Sequence, residues 1–353
     1  MGSIVGTFAT GFVLIAWFGT HTIVWGVAAL LLALGVFFLL GGRWRSALLV
    51  AVILAGGWGV SSSREWLKGS CLRETNYFCI KITEEEREGD TVRLLVLDHL
   101  VHSYSSLKNP TRLVYGYEQM YAEMAAYRAQ RNDHLRALMI GGGGYTFPRY
   151  MEAVYPHSDI HVVEIDPGVT QVAYDMLGLG RDTKIVTHNQ DARLFLAQEP
   201  TLVYDLILGD AFNHFSVPYH LTTKEFNDRV QAWLAKDGLY VVNILDGPQG
   251  DLVRALVHTL RQTFLYVYLV PGVDSWREAS RSTFVLIASD TPLDLSALET
   301  TDGGDGYALV ARQIYTQEEV EVLLAEARAV VLTDQYAPVD QMLAVVFREE
   351  SPK

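Results

Sequence analysis

No aspartate, glutamate, lysine or arginine occurs before Arg43, and a second uncharged run covers residues 46–63. A water-exposed helix needs a polar face, so these stretches are excluded from an ordinary globular surface. A basic excess is also missing. The 353 residues carry a net charge of −13, and beyond Arg43 and Arg45 the remaining 26 bases face 41 acids. Nucleic acid requires a basic footprint, so a nucleic-acid partner is excluded. The acidic balance suits a cationic small substrate, or plain solubility. Cysteine is scarce: Cys71 and Cys79 are the two. With no CxxC, no HExxH and no His/Cys cluster, no metal site is expected. The N-terminus also lacks the basic start of a cleaved signal peptide.

What stands at the N-terminus instead is apolar. Three hydrophobic helices are expected, over about 2–19, 22–40 and 47–60. A span needs about 20 apolar residues, which the first two supply and the third reaches only with its flanks. Gly2, Gly6 and Gly11, with Thr7 and Thr10, give the first helix small residues that allow close helix packing. That pattern fits a second copy of the chain or a membrane-protein partner, or chance in a Gly-rich segment. Arg43 and Arg45 precede the third helix, and Arg64, Lys68 and Arg73 follow it. This balance barely encodes sidedness. Cys71 and Cys79 flank "LRETNYF", where they either close a disulfide or remain two thiols.

Beyond residue 62 the pattern changes. "FCIKITEEE" and "TVRLLVLDHLVHSY" alternate around the turn Glu88-Gly89-Asp90, and "TRLVYGYEQMYAEMAAYRAQR" has helical spacing. We assign 63–130 to this small β region plus helix. From 131 to 353, strand and helix signals alternate. "ALMI" leads into a Gly-rich turn, and the strands "DIHVVEID", "KIVTH" and "YDLILGD" follow with helices between them. The C-terminus reads as a helix, "TQEEVEVLLAEARAVV", and a polar tail. Such alternation implies an α/β fold with a mostly parallel, Rossmann-like sheet.

The chemistry is expected at the carboxyl ends of those strands. Gly141, Gly142, Gly143 and Gly144 directly follow the first, where glycine lets backbone approach a ligand. The second ends in Glu164-Ile165-Asp166, about 20 residues on, where an acid can accept both ribose hydroxyls. Asp191-Ala192 follows the third, placed for an adenine edge, and the fourth ends at Asp210. The spacing fits a dinucleotide as well, but the turn lacks a clean GxGxxG, which favours an S-adenosyl ligand.

These segments resemble the spermidine synthase (polyamine aminopropyltransferase) family, in its bacterial membrane-bound branch. The likeness covers most of the chain after about Glu74, through "ETNYFCIKI", "LVLDHLVHS", "YEQM", "IGGGGYTFPRY", "VVEIDP", "QDARLFL", "YDLILGDAF", "VPYHLTTKEF" and "LTDQYAPVD". The apolar start resembles the last part of a larger membrane domain. The resemblance implies transfer of an aminopropyl group from decarboxylated S-adenosylmethionine to a polyamine-like amine. Glu164 would hold the ribose, Asp191 and Ala192 the adenine end, and Asp210 the attacking amine, as base. Tyr117 would line the acceptor site.

Three positions depart from the family. Its GGGD ends here in Gly144, its second acid is replaced by Asn213, and its glutamine in the β region by His102. Without an acid at 144, a donor that keeps its carboxylate is no longer repelled. S-adenosylmethionine itself, with methyl transfer, is therefore the alternative; a ligand-binding module without turnover, regulating a membrane partner, is a third reading. His102, His214 and His220 are further acid-base candidates, each equally readable as structural, and Trp276 lies in a segment that would cover the site. Because adenosyl donors are made inside cells, the soluble part is expected on the cytoplasmic side of the bacterial cell membrane.

Overall fold

The computed structural model describes residues 2–14, 19–39, 71–211, 217–301 and 309–348. The chain divides into two compact units, residues 1–82 and 83–353.

In the first unit, helix α1 (Gly2–Ala9) passes into a π-helical turn, Thr10–Leu14, and α2 spans Thr20–Leu39. Ile4, Phe8, Phe12, Val24, Trp25 and Leu31 are exposed. Among the described residues no helix is long and apolar enough to cross a membrane. The first expected span is thus an eight-residue α-helix continued by a five-residue π-turn. The third expected span lies outside the described residues. Strand β1 (Arg73–Glu74) pairs antiparallel with the start of β2 (Cys79–Arg87), and a Cys71–Cys79 disulfide closes this turn at a Cα separation of 5.3 Å.

In the second unit, β3 (Asp90–Leu97) and β4 (Leu100–Ser106) form a hairpin. The turn before β3 places Glu88 and Gly89 at positive φ, as the sequence predicts for a tight hairpin. Helix α3 (Gly116–Ala129) follows. The alternating part then runs β5 (Arg136–Ile140), α4 (Thr146–Val154), β6 (Asp159–Val163), α5 (Pro167–Met176), β7 (Val186–His188), α6 (Ala192–Leu196) and β8 (Tyr204–Gly209). After α7 (Lys224–Trp233) come β9 (Leu234–Asp246), α8 (Asp251–Leu260), β10 (Tyr266–Pro271) and β11 (Ser282–Ser289).

Seven strands form one sheet in the order β10-β11-β9-β8-β5-β6-β7. Strands β9, β8, β5, β6 and β7 run parallel, while β11 and β10 pair antiparallel at the edge. This is the Rossmann-like sheet the alternation predicts. Central strands such as β5 are almost wholly buried, as expected where helices cover both faces. Helix starts are set by local chemistry. Asp166 accepts from the Gly168 amide at 2.7 Å ahead of Pro167, and Thr223 caps α7. The chain leaves β5 toward β6 on one side and returns to β8 on the other. Their carboxyl ends therefore frame the crevice where such sheets bind ligands.

Two elements differ from expectation. Strand β9 starts at Leu234 rather than Leu239, because Leu234 pairs with Tyr204 before the register shifts. The polar tail holds a helix, Val339–Arg348, whose Val339, Leu343 and Val346 lie in the core. Their i, i+4, i+7 spacing is hidden among polar neighbours.

Candidate active site

A cavity of about 600 Å³ opens at this crevice, bounded by the glycine turn, β4, the start of α3, Asp210 at the end of β8, and Asn243 of β9. Gly141 has φ +96°, and a Cβ there would meet the Asp210 carbonyl at 2.4 Å, so only glycine lets the two strand ends lie this close. At Gly144 a Cβ would sit 2.0 Å from the Ser103 hydroxyl and 2.9 Å from that of Ser105. Serines of β4 thus fill the space a family acid would need. The Ser105 hydroxyl bonds that of Thr146 at 2.9 Å, and the buried Ser103 hydroxyl has no hydrogen-bond partner. Tyr145 packs beneath the turn, its hydroxyl bonded to Thr170 and Thr187.

Glu164 stands behind this turn and is not among the residues lining the cavity. One carboxylate oxygen accepts the Gly142 and Gly143 amides at 2.8 and 3.3 Å, and the other accepts the Asp166 amide at 2.9 Å. Burial pushes its pKa up while these amides hold it down. The expected ribose ligand is, in this state, the strut of the glycine turn.

Asp191 lies outside the cavity lining too. Its Oδ1 caps α6 by accepting the Arg193 and Leu194 amides, and its Oδ2 meets His220 Nε2 at 2.9 Å. Ala192 is buried in the core. The pair expected to meet an adenine edge starts a helix, since a carboxylate at an N-cap satisfies amides that have no other acceptor.

Asp210, His102 and Tyr117 do converge on the cavity. The Asp210 carboxylate accepts from Asn243 Nδ2 at 2.9 Å, and the Tyr117 hydroxyl acts on it as well. Burial pushes its pKa up, and Asn243 and Tyr117 act in the opposite direction. Rings continue around the wall: Tyr104 packs edge-on against Tyr115, Tyr115 stacks on Tyr117, and Tyr117 packs edge-on against Tyr121. The Tyr121 hydroxyl donates to the Gly209 carbonyl at 3.1 Å, tying α3 to β8. Asn213 and His214 lie outside the described residues. Trp276 is buried, bonded through Nε1 to the Tyr315 hydroxyl, and so is a core residue rather than a cover.

Sequence reasoning missed Glu118, Asn243 and Arg281, all of which line the cavity. Asn243 had a signal, as the polar residue inside "LYVVNIL". Glu118 reads as an ordinary acid in the first turn of a helix, which it also is: it accepts the Tyr115 amide at 3.4 Å. Its carboxyl is nonetheless buried and pushed up to about 8, by burial first and by the charge of Asp210 second.

No family model matches the chain. It is 30% identical over 213 residues to a polyamine aminopropyltransferase of Vibrio vulnificus, covering 58% of this chain and 68% of that protein. It is 33% identical over 153 residues to a probable polyamine aminopropyl transferase of Bifidobacterium longum, covering 42% of this chain and 33% of the relative. Among solved structures, a probable spermidine synthase from Corynebacterium glutamicum superposes with a TM-score of 0.63 at 23% identity, over 72% of this chain and 93% of that one. That likeness concerns the fold. The Vibrio relative, matched over more than two thirds of its length, carries the conclusion: the chain belongs to the polyamine aminopropyltransferase, or spermidine synthase-like, family of transferases.

Proposed function

We propose that this cavity transfers an aminopropyl group from decarboxylated S-adenosylmethionine to a polyamine-type amine. The acceptor nitrogen attacks the carbon beside the sulfonium, the C–N bond forms as the C–S bond breaks, and methylthioadenosine leaves. The nitrogen must shed a proton, and Asp210 is the base. The observation that carries this is the setting of Asp210: a carboxylate in the cavity, oriented by Asn243, on a residue whose backbone carbonyl abuts the glycine turn. Burial raises its affinity for a proton, which suits a base working near neutral pH. Asp210→Asn is expected to bind methylthioadenosine but to lose turnover by about 100-fold or more. Normal turnover in this variant would remove the base.

One observation favours a second reading. The turn offers hydroxyls rather than a carboxylate around Gly144, so nothing there repels a donor carboxylate. S-adenosylmethionine with methyl transfer is the alternative, and its product, S-adenosylhomocysteine, is distinguished from methylthioadenosine by mass.

We propose further that the exposed apolar helices of the first unit attach the chain to a membrane, directly or through a second copy or a membrane protein. The exposed Ile4, Phe8, Phe12, Val24 and Leu31 support this. The Cys71–Cys79 bond bears on the side, since disulfides persist in oxidising compartments.

A further inference from the structure

We infer that the same cavity also takes S-adenosylmethionine with its carboxylate intact, seats that carboxylate at the start of α4 beside Ser103, and transfers the 3-amino-3-carboxypropyl group to the amine. This rests on the reading of three-carbon transfer with Asp210 as base, and adds a second donor to it.

The first turn of α4 faces the cavity through Thr146, Phe147 and Pro148. The amides and dipole of a helix start favour an anion. This helix has no acid in its first turn, and Tyr145 at its N-cap provides no side-chain cap, its hydroxyl being bonded to Thr170 and Thr187. Ser103 is the independent sign that a ligand belongs here. Its side chain is buried, its hydroxyl faces Gly144 next to this helix start, and among the described residues that hydroxyl has no hydrogen-bond partner. A buried hydroxyl without a partner is costly, and a ligand acceptor removes the cost. Rotation about the Cα–Cβ bond, which no hydrogen bond opposes, turns it to the cavity that Ser103 lines. The hydroxyls of Ser105 and Thr146 are bonded to each other and leave that role to Ser103.

Charge does not forbid this donor. Its tail is a zwitterion, so it adds no net charge to a cavity that holds Asp210 and Glu118, and Arg281 lines the same cavity. The amine nitrogen attacks the carbon of the three-carbon arm that is bonded to sulfur, and the C–N bond forms as the C–S bond breaks. The electron pair of that bond passes to sulfur, methylthioadenosine leaves as a neutral thioether, and Asp210 takes the proton from nitrogen.

The test is mass spectrometry of the full chain with putrescine and each donor in turn, for the wild type and Ser103→Ala. The wild type is expected to release methylthioadenosine from both donors. From S-adenosylmethionine it should give an amine heavier by one carbon dioxide than the aminopropyl product. Ser103→Ala keeps the Cβ and removes only the hydroxyl. It is expected to lower kcat/KM for S-adenosylmethionine relative to the decarboxylated donor by about 10- to 100-fold, the range of one charge-assisted hydrogen bond. A purely structural serine would lower both alike, and an unchanged ratio overturns the seat. Aminopropyl product from the decarboxylated donor with no carboxypropyl product from the other, or with a methylated amine instead, overturns the second donor and leaves the first reading standing. No product from either donor counts against the transferase reading itself. Calorimetry with S-adenosylmethionine then decides the seat, which is overturned if Ser103→Ala binds as tightly as the wild type.

Discussion

Each acid near the cavity is defined by what its oxygens already hold. Glu164 holds three amides and Asp191 two amides and a histidine, while Asp210 and Glu118 face the cavity. Glu164→Ala therefore does more than delete a ligand contact. It strips buried amides of their acceptor, at about 1–3 kcal/mol for an unsatisfied group. The expected result is a lower unfolding midpoint together with weaker methylthioadenosine binding, only partly restored in Glu164→Gln, whose single amide oxygen replaces one of the two accepting oxygens. A variant as stable as wild type would show that the turn does not depend on this strut. Glu118 makes a pH prediction. Its folded value of about 8 lies above its ordinary 4.5, so the folded chain holds the proton more tightly than the unfolded chain. That contribution to stability is complete below about pH 4.5 and is lost as pH rises through about 8. Denaturant titrations from about pH 5 to 8 should show wild-type stability falling more steeply than that of Glu118→Gln. Parallel curves would mean that Glu118 is ionised in the folded chain.

At the scale of elements, the glycine turn and β4 were read separately from the sequence, and the structure joins them. The sequence shows glycine at 144 where the family has an aspartate, and in the structure Ser103 occupies the space that side chain would need. Gly144→Ala is expected to lower stability by about 1–3 kcal/mol through overpacking. Pairing it with Ser103→Gly should recover part of the loss, as a double-mutant cycle by thermal unfolding would show. Strict additivity would mean the turn moves away from β4 instead. Much else here was legible. Gly141 to Gly144, Asp210 and the strand ends stood in the expected order, because buried parallel strands and turn glycines are local signals. Glu118 was not legible, since an acid in a first helical turn looks the same whether it faces water or a cavity. Nor was the helix at Val339–Arg348, whose apolar positions matter only once α8 packs there. The helix-capping role of Asp191 was not legible for a related reason: strand-end acids bind ligands and cap helices with the same oxygens.

For the molecule as a whole, two arguments about placement pull apart. Donor supply favours the cytoplasm, and the Cys71–Cys79 bond favours an oxidising compartment. Following the bond, we expect that a membrane-impermeant thiol reagent applied to intact cells labels these cysteines only after reduction. Labelling in permeabilised cells without reductant would restore the cytoplasmic placement. The central claim, aminopropyl transfer, is tested most directly by mass spectrometry of the full chain incubated with decarboxylated S-adenosylmethionine and putrescine. The account predicts an amine heavier by one aminopropyl group and methylthioadenosine in equal amount, both abolished in Asp210→Asn. A methylated product with S-adenosylhomocysteine when S-adenosylmethionine is supplied, and no aminopropyl product from the decarboxylated donor, would contradict it.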